Sequence, residues 1–239
     1  MFKPKAIKRF ESKLLSIVDT TPTVREFVFE APADFVFTAG QFVTIFFNKG
    51  EDKFRRQYSI ASSPTESQIK LCVKRVETGP GTEYLFNLKA EDVVDMMAPL
   101  GVFVLKEQSQ SKDIVFIATG TGIAPFRSMI IDLLSKEYSH NIILLSGVRY
   151  ENEILYHEEF TLLAEKHKKF SYHPIVSQPK EVSFEGETGR VQKLISEHVS
   201  ENSPSHFYLC GLYAMIHESA KLLTKMGVKR EQVFFERYD

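Results

Sequence analysis

A glycine-rich stretch near the middle of the chain has the composition of a phosphate-binding loop. Residues 116–127 read FIATGTGIAPFR, so an apolar run leads into two glycines spaced G-x-G and then into a proline. Glycines let the backbone approach a pyrophosphate closely, and the free N–H groups of a helix start favour its negative charge. A plain tight turn would use the same glycines. The candidate nucleotide-binding residues are Thr119, Gly120, Thr121, Gly122 and Pro125.

A second candidate site lies earlier, where residues 55–64 read RRQYSIASSP. Arg56 and Tyr58 are spaced to share one face of a strand, so a guanidinium could hold a phosphate while the ring stacks on a flat heterocycle. Ser59 would offer a hydrogen bond at the edge of that ring system. A surface arginine beside a half-buried tyrosine would explain the same residues. A further phosphate contact could come from the turn that contains Gly81 and Thr82, which leads into a helical-looking segment.

The first 106 residues have the pattern of short β-strands. Segments such as 24–30, 41–47 and 69–76 are rich in Val, Ile, Phe and Thr, and turn residues separate them. In the third segment apolar Ile69, Leu71 and Val73 alternate with Lys70, Cys72 and Lys74, as in a strand with one buried face. This succession predicts a small barrel or sandwich.

The pattern changes after the polar stretch 106–112. Apolar runs at 114–118, 142–146, 171–176, 206–210 and 232–235 now alternate with segments of helical period. Such alternation predicts a parallel sheet covered by helices on both faces, with ligands bound at the carboxyl ends of its strands. We therefore expect two domains, at residues 1–106 and 107–239.

Composition excludes several classes of protein. The chain has 239 residues and a formal net charge of −1, whereas a dedicated nucleic-acid binder normally has a strong basic excess. Its two cysteines cannot hold an iron–sulfur cluster, which needs four thiolates, and its seven histidines lack metal-ligand spacing. No apolar run suits a signal peptide or a membrane span. These observations predict a cytoplasmic protein with no metal site and no nucleic-acid partner.

The ordered set of motifs resembles the ferredoxin–NADP reductase family. The segments RQYS, LCVKRV, GPGT, APLG, GTGIAPFRSM, GVR to ILYHEEF, LCGLYAM and a terminal ERYD follow one another with plausible spacing over nearly the whole chain. The resemblance implies an N-terminal antiparallel β-barrel that binds flavin. It also implies a C-terminal, Rossmann-like α/β domain with a parallel five-stranded sheet.

The resemblance also implies roles for individual residues. Arg56 of the RQYS motif would bind FAD phosphate, Tyr58 would stack on the isoalloxazine, and Ser59 would hydrogen-bond near its N5. The other implied FAD-binding residues are Gln57, Cys72, Val73, Lys74, Gly81 and Thr82.

For the nicotinamide nucleotide, the resemblance implies that the glycine loop binds the pyrophosphate. Gly147 and Arg149 would lie near the adenosine half, and Cys210 and Gly211 beside the nicotinamide. Glu236 and Tyr238 fall where plant-type members carry a carboxylate and an aromatic residue that covers the flavin. The aromatic residue ends the chain in those members, whereas Asp239 follows here. The implied catalytic residues are Ser59, Cys210 and Glu236.

The implied reaction is hydride transfer from nicotinamide C4 to flavin N5. Because the chain has no cluster of its own, the electrons would pass to a separate ferredoxin, flavodoxin or oxygenase component. Alternative functions are reduction of free flavin or ferric chelates, and a non-catalytic subunit that keeps the fold.

The choice between NADH and NADPH depends on residues that would meet a 2′-phosphate. In NADPH-specific members an arginine follows the serine of the fifth-strand motif, but here the pair is Ser177 and Gln178. Glu151 and Glu153 would repel a phosphate dianion, although Arg149 and a nearby lysine at position 180 could compensate. The sequence therefore favours NADH.

Overall fold

The computed structural model describes residues 6–181 and 183–238, which form two compact units. Unit 1 contains the chain up to Leu105 together with residues 124–135, and unit 2 contains residues 106–123 and those from Lys136 onward. Residues 124–135 follow the predicted boundary after residue 106, yet they are grouped with unit 1.

Unit 1 is built on six antiparallel strands in the order β4-β3-β6-β1-β2-β5. The strands are β1 Lys8–Thr21, β2 Val24–Glu30, β3 Phe42–Lys49, β4 Asp52–Ser59, β5 Gln68–Lys74 and β6 Val93–Leu100. An antiparallel bridge between Ile60, directly after β4, and Leu71 in the middle of β5 joins the two edge strands, so the sheet curls on itself. This architecture confirms the predicted antiparallel barrel.

Alternating apolar residues fill the interior of the curled sheet. Phe27, Phe29, Ile45 and Leu71 are fully buried, because successive side chains of a strand point to opposite faces. Two helices complete the unit, α1 Pro80–Phe86 and α2 Ala124–Ser135.

Unit 2 contains five parallel strands in the order β11-β10-β7-β8-β9. These are β7 Ile114–Thr119, β8 Ile142–Val148, β9 Phe170–Val176, β10 His206–Gly211 and β11 Val233–Arg237. The helices of this unit are α3 His157–Lys166, α4 Val191–His198 and α5 Tyr213–Lys225. The predicted parallel five-stranded sheet is therefore confirmed. Across the described residues, no helix is long and apolar enough to cross a membrane.

Candidate functional site

The two glycines of the loop after β7 serve different steric purposes. Residues Gly120–Ile123 form a short 3₁₀ turn. Gly120 has a φ of +52°, and a Cβ added there would meet no atom within 4 Å. A Cβ on Gly122 would instead lie 2.3 Å from the carbonyl oxygen of Cys210. The first glycine thus permits a left-handed backbone beside open space, and the second permits close packing on the end of β10.

The carboxyl ends of neighbouring strands bring several predicted residues together in unit 2. Thr119 pairs with Gly147 across β7 and β8. Gly211 has a φ of +141°, and its absent Cβ would lie 2.3 Å from Oγ1 of Thr119. That hydroxyl oxygen is buried and has no hydrogen-bond partner among the residues that the structure describes. Because an unsatisfied buried polar atom is costly, the threonine fits a site completed by a polar group of a bound nucleotide.

Cys210 is fully buried next to the C-terminal strand. It pairs with Glu236 in the parallel register of β10 and β11, and the backbone N–H of Tyr238 donates to the carbonyl of Gly211 at 3.2 Å. Burial and the nearby Glu236 carboxylate raise the pKa of the Cys210 thiol well above its ordinary value, although hydrogen bonds from Tyr238 and Gly211 act in the opposite direction. Cys210 therefore presents a neutral sulfur and not a nucleophilic thiolate.

We expect Cys210 to resist alkylation. Because its thiol is buried and its pKa is raised, iodoacetamide at pH 8 should modify it at least about tenfold more slowly in the folded protein than in denaturant. Mass spectrometry of the peptide that contains Cys210 measures both rates. Equal rates would show that the thiolate is accessible in the folded protein.

The ends of β8 and β9 bring together the residues predicted for the adenosine half. Nε of Arg149 donates to Oε1 of Gln178 at 3.0 Å, and the hydroxyl of Ser177 donates to the carbonyl of Val148 at 3.2 Å. Sequence analysis did not single out Tyr150, whose ring centroid lies 3.9 Å from Nζ of Lys180 and 5.4 Å from Cζ of Arg149. Its position directly after the GVR segment was the one sequence feature that could have indicated Tyr150 as a site residue.

Both acidic residues after Tyr150 have fixed positions. The carboxylate of Glu151 accepts the backbone N–H of Lys180 at 3.0 Å and that of Glu181 at 2.9 Å. Backbone donors, its own N–H first and then those of Lys180 and Glu181, lower the pKa of Glu151. Glu153 accepts the N–H of Tyr150 at 3.3 Å. Glu151 is therefore an ionised carboxylate that holds the loop after β9.

The predicted flavin-phosphate residues contact one another in unit 1. A Cβ added to Gly81 would lie 2.6 Å from Cγ of Arg56 and 2.6 Å from the hydroxyl oxygen of Tyr58. Burial raises the pKa of Tyr58 to about 12, although Arg56 acts in the opposite direction. The Arg56 side chain and the neutral phenol of Tyr58 thus both pack on the backbone of Gly81, and these residue types supply a donor set that fits a phosphate next to a flat ring.

Other residues predicted for the flavin are placed less directly. Strand alternation points Gln57 and Ser59 to the face of β4 opposite Arg56 and Tyr58, and Ser59 is buried. The Thr82 hydroxyl donates to the carbonyl of Val76 at 2.9 Å and so closes the turn before α1.

On β5, Val73 belongs to the hydrophobic core, whereas Lys74 is exposed and Cys72 is buried. The Val73 side chain is therefore engaged in packing, and only its backbone could contact the cofactor.

Pro125 is buried in the first turn of α2. Within residues 6–181 and 183–238, no group of three or more His, Cys, Asp or Glu side chains could hold a metal ion, and neither Cys72 nor Cys210 is part of a disulfide.

Family models match both halves of the chain. Residues 11–105 match the oxidoreductase FAD-binding domain, and residues 116–221 match the oxidoreductase NAD-binding domain. The FAD-binding match contains Arg56, Tyr58 and Gly81, and the NAD-binding match contains the glycine loop.

Individual proteins are similar over nearly the whole chain. Ferredoxin–NADP reductase B of Sorangium cellulosum is 34% identical, over 96% of this chain and 98% of that protein. The phenol hydroxylase P5 protein of Acinetobacter pittii is 30% identical over 97% of this chain, which spans only 66% of that relative. The crystal structure of the Amycolatopsis cytochrome P450 reductase superposes with a TM-score of 0.87 at 25% identity, covering 97% of this chain and 70% of the other.

Proposed function

This chain belongs to the ferredoxin–NADP reductase family of FAD- and nicotinamide-nucleotide-binding oxidoreductases, and from that premise we propose that it oxidises NADH and reduces a separate acceptor protein in the cytoplasm. The observation that carries the proposal is the Thr119 hydroxyl, which is buried beside Gly211 and the glycine loop and has no hydrogen-bond partner in the described part of the chain. Such a site is prepared for a polar ligand and would be costly if nothing bound there.

FAD, when bound, supplies the hydride-accepting and electron-passing chemistry of the reaction. Arg56 would hold the phosphate of that cofactor, and the neutral Tyr58 would keep its ring against the flavin and its hydroxyl as a donor. Cys210 would retain its thiol proton and pack against the nicotinamide, with Glu236 next to it. Ser59 as the partner of flavin N5 and Tyr238 as a cover for the flavin remain predictions from the resemblance.

The cysteines support an external acceptor. Both are buried, and two thiolates cannot bind a ferredoxin-type cluster, which needs four. One relative is named a ferredoxin–NADP reductase and another a phenol hydroxylase P5 protein. We propose a ferredoxin, a flavodoxin or an oxygenase component as the protein that receives the electrons.

Retention of FAD tests this function against reduction of free flavin. Purified protein should remain yellow after dialysis and should oxidise NADH when a ferredoxin or flavodoxin is supplied as acceptor. A colourless protein that turns over added free flavin would contradict the proposal. A protein that keeps its flavin but is never reduced by NADH or NADPH would indicate a non-catalytic subunit.

The preference for NADH rests on Glu151. Its ionised carboxylate is fixed by the backbone N–H groups of Lys180 and Glu181, close in sequence to Ser177 and Gln178. A 2′-phosphate dianion would meet this negative charge, and Arg149 is already hydrogen-bonded to Gln178.

We expect Glu151→Gln to improve the use of NADPH. The amide oxygen can still accept the two backbone N–H groups, whereas the charge is lost, so kcat/KM for NADPH should rise about fivefold with little change for NADH. Steady-state rates with the two nucleotides give the ratio. The comparison variant is Glu153→Gln, which removes the other charge predicted to repel the phosphate, held by the N–H of Tyr150, and a larger gain for Glu151→Gln would support the assignment to Glu151. A wild-type protein that prefers NADPH would overturn the assignment.

A further inference from the structure

A buried arginine lies in α2, three residues after the first residue of that helix. The Arg127 side chain is 6% exposed, and α2 belongs to unit 1. Its Nη1 donates to the carbonyl of Ala61 at 2.8 Å and to Oε2 of Glu66 at 3.0 Å. Although Arg127 ends the GTGIAPFR motif, its guanidinium is therefore bonded to the segment that follows the RQYS motif of β4.

Arg127, Glu66 and Lys70 form an ion cluster in which Glu66 contacts both cations. Its Oε2 accepts the backbone N–H of Ser63 at 2.6 Å, and its Oε1 accepts Nζ of Lys70 at 2.7 Å. Burial acts to raise the pKa of Glu66, but Lys70, Arg127 and the Ser63 N–H outweigh it and hold the pKa below its ordinary value. The carboxylate is therefore ionised and links α2 to the backbone of the loop.

The segment after Ser59 is held at successive residues. The N–H of Ile60 donates to the carbonyl of Gln41 at 2.9 Å, and that of Ala61 donates to the carbonyl of Lys70 at 2.8 Å. The hydroxyl of Ser62 accepts the N–H of Lys70 at 3.1 Å. Hydrogen bonds to Gln41 and Lys70 thus hold residues 60–62. The carbonyl of Ala61 also accepts a hydrogen bond from the Arg127 guanidinium of α2.

An ion cluster that contains a buried arginine and two partly exposed side chains is a poor source of net stability, because desolvation of the charges offsets their attraction. Its geometry, in contrast, is specific, since charge-assisted hydrogen bonds at fixed distances define where the loop backbone lies. In this chain those bonds converge on residues 61–66, directly after the predicted flavin residues Arg56, Tyr58 and Ser59.

We propose that Arg127 is a positioning residue of the flavin site, which holds the backbone after Ser59 in place, and not a ligand of the nucleotide phosphates. This inference rests on the proposed function, because it takes β4 as a flavin-binding strand. The inference assigns two parts of the GTGIAPFR motif to different cofactors. The glycines would bind the nicotinamide nucleotide, whereas Arg127 would position the backbone of the FAD site.

Arg127→Met tests the proposal through two independent readouts. In protein freed of cofactor, amide hydrogen exchange over residues 60–66 should become at least about tenfold faster, because Ala61 and Glu66 lose a charge-assisted donor. In the reconstituted protein, the Kd for FAD should rise at least about tenfold, while KM for NADH stays within about twofold.

A second variant separates positioning from stability. Arg127→Met leaves Glu66 without its buried cation, so the melting temperature should fall. The double variant Arg127→Met/Glu66→Leu removes both charges of the Arg127–Glu66 pair and leaves Lys70 with only its partial exposure to solvent, so its melting temperature should recover in part. Its affinity for FAD should remain weak, because the carbonyl of Ala61 still lacks the guanidinium.

Met129→Ala is the matched control, since Met129 is fully buried in the same helix. Its side chain packs beside Gly40, so this variant should lower the melting temperature without changing FAD affinity or exchange over residues 60–66. A raised KM for NADH with unchanged FAD affinity in Arg127→Met would overturn the proposal in favour of a phosphate ligand. A lower melting temperature with neither exchange nor FAD affinity changed would also overturn it.

Failure of the proposed function gives a different result. If the unsubstituted protein binds no FAD and does not oxidise NADH, the function is wrong. Hydrogen exchange in cofactor-free protein still reports whether Arg127 holds residues 60–66, and unchanged exchange there would contradict the proposal independently.

Discussion

Gly122→Ala should lower kcat/KM for NADH by at least about a hundredfold, which corresponds to about 3 kcal/mol. The new Cβ would lie 2.3 Å from the backbone carbonyl oxygen of Cys210, so either the loop or the end of β10 must move. Because no flexible side chain is available to give way, the displacement reaches the loop and both Cys210 and Gly211. Stopped-flow or steady-state kinetics with NADH, on protein that still retains FAD, measures the loss.

Gly120→Ala is the control two residues away. Its Cβ would meet no protein atom within 4 Å, so the cost to the protein itself is limited to the positive φ of +52°. That strain amounts to about 1 kcal/mol for a non-glycine residue, and the rate should fall by no more than about tenfold. If both variants lost the same factor in kcat/KM for NADH, close packing on β10 would not explain why position 122 is a glycine.

Arg56→Met should weaken FAD binding by about thirtyfold, because a charge-assisted bond to phosphate contributes about 2 kcal/mol. The Arg56 side chain packs on Gly81 and lies over the ring of Phe54 at 5.7 Å, and methionine retains part of that apolar contact. Equilibrium dialysis or fluorescence titration of cofactor-free protein with FAD measures the change.

The neighbouring Arg55 provides the control. Alternation along β4 places its side chain on the opposite face from Arg56, and both arginines are exposed to solvent. Arg55→Met should therefore leave the affinity for FAD within about twofold. Equal effects of the two substitutions would indicate a general electrostatic attraction and would contradict a specific phosphate contact at Arg56.

The regular parts of this fold could be predicted because their patterns are strong. The apolar runs that became β7, β8 and β10 are buried on both faces, as parallel strands between helices are. Strand β1 was harder to recognise, since along its 14 residues only Leu14 is fully buried and polar side chains interrupt the alternation. Strand β4 is an edge strand with mostly exposed residues, so it carries little apolar signal.

Helix α2 shows what periodicity could not provide. Its apolar spacing predicted a helix, but Arg127 and Asp132 are buried with the apolar residues, so the helix is covered on more than one face. Grouping of α2 with unit 1 depends on tertiary packing, for example between the rings of Phe103 and Phe126 at 6.0 Å.

Within the candidate site, local motifs indicated residues close in sequence and missed distant partners. The RQYS and GPGT motifs were each predicted to bind phosphate, and the structure brings Gly81 of the second motif into contact with Arg56 and Tyr58 of the first. Glu66 is 61 positions away from Arg127, and nothing in its local sequence indicated the pairing. Long-range ion pairs of this kind are defined by the fold and not by spacing along the chain.

The proposed oxidation of NADH by a bound flavin is tested most directly by anaerobic titration of the purified protein with NADH while its visible absorption spectrum is recorded. The proposed function predicts flavin absorbance bands in the untreated protein and their bleaching by about one equivalent of NADH, because each hydride carries two electrons. NADPH should bleach the bands more slowly. A protein without flavin bands, or one whose bands persist with both nucleotides, would contradict the account.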